Sequence, residues 1–408
     1  MIVDIINKKR LGLALSYDEI SFIFNGYLNG TVKDYQMSSL LMAICINGMN
    51  DDEVFALTKT FIESGDILDF SNVAGIKVDK HSTGGVGDKT TLIIAPTVAS
   101  LGVPVVKMCG RGLGYTGGTI DKLESIKGIR INLSDEEVLE QVGKIGVVIT
   151  GQTANLVPMD KVIYSLRDVT ATVSSIPLIA SSVMSKKIAA GADKILIDIK
   201  VGDGALLQSI NDAEKLSELM IKIGNFYGRE VKTKISDMNV PLGRAVGNSL
   251  EVLEAISVLK NEDGHNNLTN LCVELASEMV SMGKNIGYEE ARKLVIENIE
   301  NGKAYDKFLE MIKYQGGDIN SLSVSGNKQE IIADSDGTVK NIDALNLGKL
   351  SVSLGAGRKS KEDKIDHGVG IYLNKLVGDK VVKGDVIATV YKKDNDSSVD
   401  FNNIFTIN

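Results

Sequence analysis

Two glycine-dense segments, each directly behind a short apolar run, limit this chain to a small set of folds. Ile76–Val78 leads into Asp79-Lys80-His81-Ser82-Thr83-Gly84-Gly85-Val86-Gly87-Asp88, and Val105–Met108 leads into Cys109-Gly110-Arg111-Gly112-Leu113-Gly114-Tyr115-Thr116-Gly117-Gly118-Thr119. Apolar runs recur at Val147–Ile149 and Ile195–Ile199. Helices are expected between or after them, capped by Ser134 with Glu137 and by Asn211 with Glu214. Alternating strands and helices give a parallel sheet wrapped on both faces. In such sheets ligands sit beyond the carboxyl ends of the strands. Both glycine segments fall there.

The chemistry of these segments is that of an oxyanion site. Glycine lets backbone N–H groups approach an anion closely, and a helix N-terminus adds a favourable dipole. Lys80 offers a point charge; Ser82, Thr83, Thr91 and Thr119 offer neutral donors. His81 is the one group nearby whose unperturbed pKa lies near neutrality, which makes it the best general-acid candidate. No Gly-x-x-x-x-Gly-Lys-Ser/Thr string is present, so this is not a P-loop.

The flanking regions read differently. Residues 1–65 are helical, with an apolar face over Gln36–Asn47 and a capping box at Asn50 and Glu53 opening a helix to about Ser64. From Ile332 short β segments take over: Gly337–Val339, Leu350–Ser353, Val369–Tyr372, Lys380–Val382 and Val386–Tyr391. This part resembles a biotinyl/lipoyl-like lobe, but it lacks the carrier lysine at a hairpin tip and reads as structural. The tail after Lys392 is polar, the kind of sequence that frays.

The motifs together resemble the thymidine/pyrimidine-nucleoside phosphorylase family. The matches are Asp79–Gly85, Gly110–Gly114, Thr116–Thr119, Asp121-Lys122-Leu123-Glu124 and Gly151-Gln152-Thr153. They continue through Tyr164-x-x-Arg167-Asp168-x-Thr170-Ala171-Thr172 and Ile176-Pro177-Leu178-Ile179-x-Ser181-Ser182-x-x-x-Lys186-Lys187. Ala245–Asn248 and Gly355-x-Gly357-Arg358 complete the series, in order, over essentially the whole chain. The resemblance implies an α/β protein with a small, discontinuous all-helical domain (1–65 plus about 159–189) for base binding and dimerisation. A large mixed α/β domain (about 75–155 plus 193–330) would bind phosphate, and residues 331–408 would form the C-terminal lobe. A closing hinge motion would bring the two substrates together.

The resemblance also implies site roles. Lys80, Ser82, Thr91, Cys109 and Thr119 would bind phosphate, and Tyr164, Arg167, Ser182 and Lys186 the pyrimidine base. His81, Arg167 and Lys186 would be catalytic. Spacing supports the base site independently: Ser182 and Lys186 are four apart and Tyr164 and Arg167 three apart, so each pair shares a helix face. Pyrimidine O2, N3–H and O4 present acceptor, donor and acceptor, suited to two cations and a hydroxyl. His81 would protonate or hydrogen-bond O2 as the glycosidic bond breaks.

The chain departs from the family pattern at four positions. Cys109 stands where Ser is frequent, and a thiol is the weaker donor, so a weaker phosphate grip is expected. Tyr115 replaces His near the sugar, and Leu206 replaces Phe near the base. Lys89 falls in the family's monovalent-cation site, whose other positions match Gly87, Leu242, Ala245 and Glu254; its ammonium is expected to replace the ion and pair with Glu254.

Composition bounds the remaining classes. A net charge of −8 with no dominant basic patch argues against a nucleic-acid partner. The absence of an 18-residue apolar run argues against a membrane span. Basic residues follow apolar ones at the N-terminus, the reverse of a secretory signal. Cys45, Cys109 and Cys272 are odd in number and widely spaced, as expected in a reducing cytoplasm. The resulting expectation is a cytoplasmic, homodimeric pentosyltransferase with no organic cofactor and phosphate as co-substrate. Two other readings stay open: an anthranilate-type phosphoribosyltransferase and a catalytically weak nucleoside-binding protein.

Overall fold

The computed structural model describes residues 1–408 apart from 113, 116, 154, 263, 265, 359–362 and 394–398. His265, and Leu113 and Thr116 of the second glycine segment, therefore lie outside the described residues. The elements begin with α1 (Ile2–Arg10), α2 (Tyr17–Leu28), α3 (Asp34–Asn47), α4 (Asp51–Ile62), β1 (Val78–Ser82), α5 (Thr90–Ser100), β2 (Val105–Cys109), α6 (Thr119–Leu123), α7 (Asp135–Ile145) and β3 (Val147–Gly151). They continue with α8 (Pro158–Asp168), α9 (Ile176–Ala189), β4 (Lys194–Val201), α10 (Ile210–Phe226), β5 (Glu230–Asp237), β6 (Ala245–Val246), α11 (Asn248–Leu259), α12 (Asn267–Lys284), α13 (Tyr288–Glu300) and α14 (Lys303–Tyr314). The last are β7 (Asn327–Ile332), β8 (Gly337–Ile342), α15 (Ala344–Leu354), β9 (Gly370–Leu373), β10 (Lys380–Val381), β11 (Val386–Lys392) and β12 (Phe405–Ile407).

The chain divides into two compact units. The first comprises Met1–Asn72, Thr153–Ile197 and Ser209–Thr233. Its helices start where side chains satisfy the free backbone N–H groups, with full capping boxes at Ser16/Glu19 and Asn50/Glu53. Ile20, Ile23, Phe24, Leu40, Leu57 and Phe61 are buried in its core, and Phe24 meets Phe61 edge-on at 5.7 Å. The sequence pattern places α10 in the α/β part, but the helix packs with those of this unit. Phe226 stacks on Phe55 at 4.4 Å and the Tyr227 hydroxyl donates to the Phe55 carbonyl.

The second unit comprises Val73–Gln152, Asp198–Gln208 and Lys234–Asn408. β2 and β3 pair in parallel, from Val105 opposite Val147 to Cys109 opposite Gly151. A second sheet has the order β1-β4-β5. The C-terminal lobe carries the sheets β6-β9-β11-β7 and β10-β8-β12. Its core of Val339, Leu347, Ile371 and Val390 also receives Val86 from the first glycine segment.

Four local expectations need correction. Leu350–Ser353 is helix α15, because Asp343 caps a turn pattern that buries Ala344, Leu347, Ser351 and Leu354. The cap of α10 is Ser209, which accepts from the Asp212 N–H, not Asn211. β1 starts at Val78 and runs through Ser82, so Lys80, His81 and Ser82 lie on the strand itself. The polar tail ends in β12, paired antiparallel with β8. Among the described residues no helix is long and apolar enough to cross a membrane.

Candidate active site

In the first unit, α8 and α9 bring four of the expected base-binding residues together. Ser182 and Lys186 sit one turn apart on α9, and the Lys186 ammonium donates to Ser182 Oγ at 3.0 Å. Its stronger partner is Asp160 Oδ2 at 2.6 Å. Arg167, at the end of α8, is 1 % exposed. Its guanidinium donates to the carbonyls of Thr172, Leu178 and Val173. Burial lowers its pKa, against the opposing pull of Asp160. Three of its five N–H groups are thus engaged. The Tyr164 ring lies beneath both cations, 5.4 Å from the Arg167 guanidinium and 6.0 Å from the Lys186 ammonium.

Backbone strain marks both ends of α8. Val157, its N-cap, has φ of 49°, and Ala171, in the turn that follows, has φ of 55°. Each costs on the order of 1–3 kcal/mol. The turn at Ala171 presents two of the three carbonyls that hold Arg167, those of Thr172 and Val173.

In the second unit the predicted phosphate residues are built into an ion network. Lys80 is 2 % exposed; its ammonium donates to Thr90 Oγ1 at 2.7 Å and lies 3.2 Å from Asp198 Oδ2. Asp198 also accepts from Lys200 at 2.7 Å and from the Ser236 hydroxyl at 2.5 Å. Asp88 accepts from Thr90, through both hydroxyl and N–H, and from the Ser82 hydroxyl. Burial would raise the Asp88 pKa, but Lys80, Lys200 and Lys122 hold it well below the usual carboxylate range. Burial acts on Asp198 in the same direction and is outweighed by Lys200 and Lys80, so its pKa is also lowered. The Lys80 pKa is raised: burial works against its charge, but Asp88 and Asp198 prevail.

The remaining phosphate candidates lie on neighbouring elements of the chain. Thr91 is buried in the first turn of α5, Cys109 is the buried last residue of β2, and Thr119 opens α6. Half-buried His81 follows Lys80 on β1. The second glycine segment folds back on itself, because a Cβ on Gly118 would stand 2.2 Å from the Gly112 nitrogen. Arg111 and Arg358 both pair with Asp121 behind it. Tyr115 donates from its hydroxyl to the Ala205 carbonyl at 3.2 Å, beside Leu206, which is 42 % exposed.

Lys89 is fully enclosed. Its ammonium donates to the carbonyls of Leu242 at 2.8 Å and Ala245 at 2.9 Å, and to Glu254 Oε2 at 2.5 Å. Gly87, with φ of +75°, closes over the same carbonyls. Among the described residues no cluster of His, Cys, Asp or Glu could hold a metal ion.

Several participants are not singled out by the sequence. Asp198 and Lys200 sit in an otherwise apolar strand, and their role is visible only once Lys80 lies beside them. Asp160 reads as an ordinary helix-start carboxylate, and its partner is 26 residues away. Thr90 and Asp88 border the first motif, where local spacing could flag them.

This fold defines the chain as a glycosyl transferase of a helical-bundle plus α/β type. The glycosyl transferase family helical-bundle model matches residues 3–65 and the family's a/b domain model matches residues 74–305. The chain belongs to the pyrimidine-nucleoside phosphorylase family: the pyrimidine nucleoside phosphorylase C-terminal domain model matches residues 338–404. A pyrimidine-nucleoside phosphorylase of Staphylococcus haemolyticus is 53 % identical over 396 residues, covering 95 % of this chain and 91 % of that protein. One from Staphylococcus aureus is 51 % identical over 401 residues, covering 97 % and 92 %. The crystal structure of anthranilate phosphoribosyltransferase from Thermus thermophilus superposes with a TM-score of 0.61 at 18 % identity, covering 76 % of this chain and 99 % of that one, a likeness of fold.

Proposed function

We propose that the chain catalyses the reversible phosphorolysis of pyrimidine nucleosides, uridine, thymidine or deoxyuridine, to free base and (deoxy)ribose 1-phosphate. The observation that carries this reading is the assembled Arg167, Ser182 and Lys186 group over Tyr164, a set of donors matched to a pyrimidine edge. The names of the staphylococcal relatives agree with it. Lys80, Ser82, Thr91, Cys109 and Thr119 hold phosphate, whose oxygen attacks C1′ as the bond from C1′ to N1 breaks. The electron pair of that bond leaves with the base. Lys186 and Arg167 stabilise the charge growing on the base, and His81 gives O2 a proton or hydrogen bond. Orienting two bound substrates supplies a further large share of the acceleration.

The Lys89 ammonium takes the place of the monovalent cation at Gly87, Leu242, Ala245 and Glu254. Three oxygens already surround it at hydrogen-bond distances, and a second cation there would be repelled. Replacing potassium by choline in the assay is expected to leave turnover unchanged; strong activation by potassium contradicts the assignment. Homodimerisation through the first unit is supported by the apolar residues it exposes, among them Val3, Leu11, Leu13, Tyr35 and Ile46. A cytoplasmic location is supported by three unpaired cysteines.

The deciding experiment is base release from uridine and from thymidine, each with and without phosphate. Phosphate-dependent release is expected, and the ratio between substrates reports what Tyr115 and Leu206 permit. No release from either substrate overturns the reading.

A further inference from the structure

Two buried lysines of the second unit, Lys89 and Lys122, stand in matching surroundings. Lys89 is held by two backbone carbonyls and Glu254. Lys122, 1 % exposed, is held in the same way. Its ammonium donates to the Asp88 carbonyl at 2.6 Å and the Gly117 carbonyl at 3.0 Å, and lies 3.0 Å from Glu251 Oε2. Glu251 and Glu254 are three residues apart on α11, so one helix face supplies both counter-charges. Each glutamate is itself fixed by backbone donors, Glu251 by the Gly247 N–H and Glu254 by those of Arg244 and Ala245.

The two carbonyls that Lys122 grips belong to different glycine segments, Asp88 to the first and Gly117 to the second. An ammonium has three donors. Two of them go to these carbonyls, and the counter-charge of the buried ammonium is Glu251 Oε2 at 3.0 Å, so its charge is already engaged within the protein. Lys122 is therefore unsuited to bind phosphate directly. It also supports Asp88 from its backbone, while the Asp88 side chain holds Ser82 and Thr90.

We propose that Lys122, anchored by Glu251, is a positioning residue that fastens the two glycine segments into one phosphate cradle. The inference rests on the phosphorolysis reading for its kinetic consequence. Without the fastening the donors of the two segments are no longer held in register, and small misplacements of binding groups are costly to rate and affinity. None of the proposed base contacts on α8 and α9 takes part in it, so the effect falls first on phosphate.

The test is the double variant Lys122→Met/Glu251→Gln, which removes both buried charges together and keeps an oxygen for the Gly247 N–H. Phosphate KM is expected to rise about tenfold or more, while nucleoside KM stays within about threefold. An unchanged phosphate KM, or an equal rise in both constants, overturns the proposal. Wild-type base release is measured in the same assay, and its absence counts against the phosphorolysis reading instead. Hydrogen exchange on the wild-type protein needs neither the variant to fold nor turnover to occur. With inorganic phosphate added, residues 85–91 and 110–119 are expected to gain protection together. Protection of one segment alone, or of neither, overturns the fastening.

Discussion

The two units hold buried cations by different means. In the first unit most partners of Arg167 and Lys186 are close in sequence, the carbonyls of residues 172, 173 and 178 and Ser182 one turn back, and only Asp160 comes from 26 positions away. In the second unit the partners come from far along the chain, with Lys80 beside Asp198 and Lys89 separated by 165 positions from Glu254. The first arrangement depends on two helices and a strained turn. The second depends on the whole unit being folded, because strands, glycine segments and α11 each contribute one member. On the proposed function, a substitution at Lys186 should therefore act on nucleoside binding, whereas one in the ion network of the second unit should act on phosphate binding and stability together.

The largest test of that contrast is Lys80→Met. It removes one of the two lysines that Asp88 and Asp198 share and leaves Lys200 to face both carboxylates, at a cost of about 3–5 kcal/mol, and phosphate-dependent turnover should fall below detection. A variant that melts with the wild type would break the comparison. His81→Ala should lower kcat by roughly 10²- to 10⁴-fold with little change in melting temperature; a loss under about tenfold removes its assignment as the acid. Lys186→Met should cost roughly 10- to 150-fold in kcat/KM for nucleoside, the worth of one charged hydrogen bond, with phosphate KM unmoved. A parallel rise in phosphate KM would erase the distinction between the two units.

Acid should act on the second unit in two stages. His367 is half-buried and its pKa is lowered, first by burial, so its stabilising contribution is present above about pH 6.5 and declines as it is forced to charge. Asp88 and Asp198 also have lowered pKa values, so their contribution is full above about pH 4 and is lost as pH falls through their folded values. Lys80 has a raised pKa, so its contribution is full below about pH 10.4 and is lost as pH rises through its folded value. Melting curves should decline gently below about pH 6.5 and steeply below about pH 4. His367→Gln should flatten the gentle part alone. The smallest effect belongs to Cys109→Ser, where a better donor should lower phosphate KM by about two- to tenfold. No change would mean that the thiol serves only as buried packing.

Short-range signals explain what is legible in the sequence. The capping boxes at Asn50/Glu53 and Ser134/Glu137 form as their spacing requires. The i,i+4 relation of Ser182 and Lys186 becomes a direct hydrogen bond. Short-range signals also account for the errors. Leu350-Ser351-Val352-Ser353 alternates like a strand, but Ala344, Leu347 and Leu354 give the longer helical period that the C-terminal core selects. Asp198 and Lys200 do not read as site residues, because their neighbours in Lys194–Val201 are those of any buried strand and their partners lie on β1 and β5.

The second unit matches its buried charges. Lys80 and Lys200 face Asp88 and Asp198, Lys89 faces Glu254, and Lys122 faces Glu251. A pocket lined by lysines alone would repel itself and reach its native shape only when an anion arrived to fill it. With its counter-ions carried in the chain, the nascent protein folds without waiting for cargo. An anion that binds there adds stability by mass action, but it is not needed to balance the charges it meets.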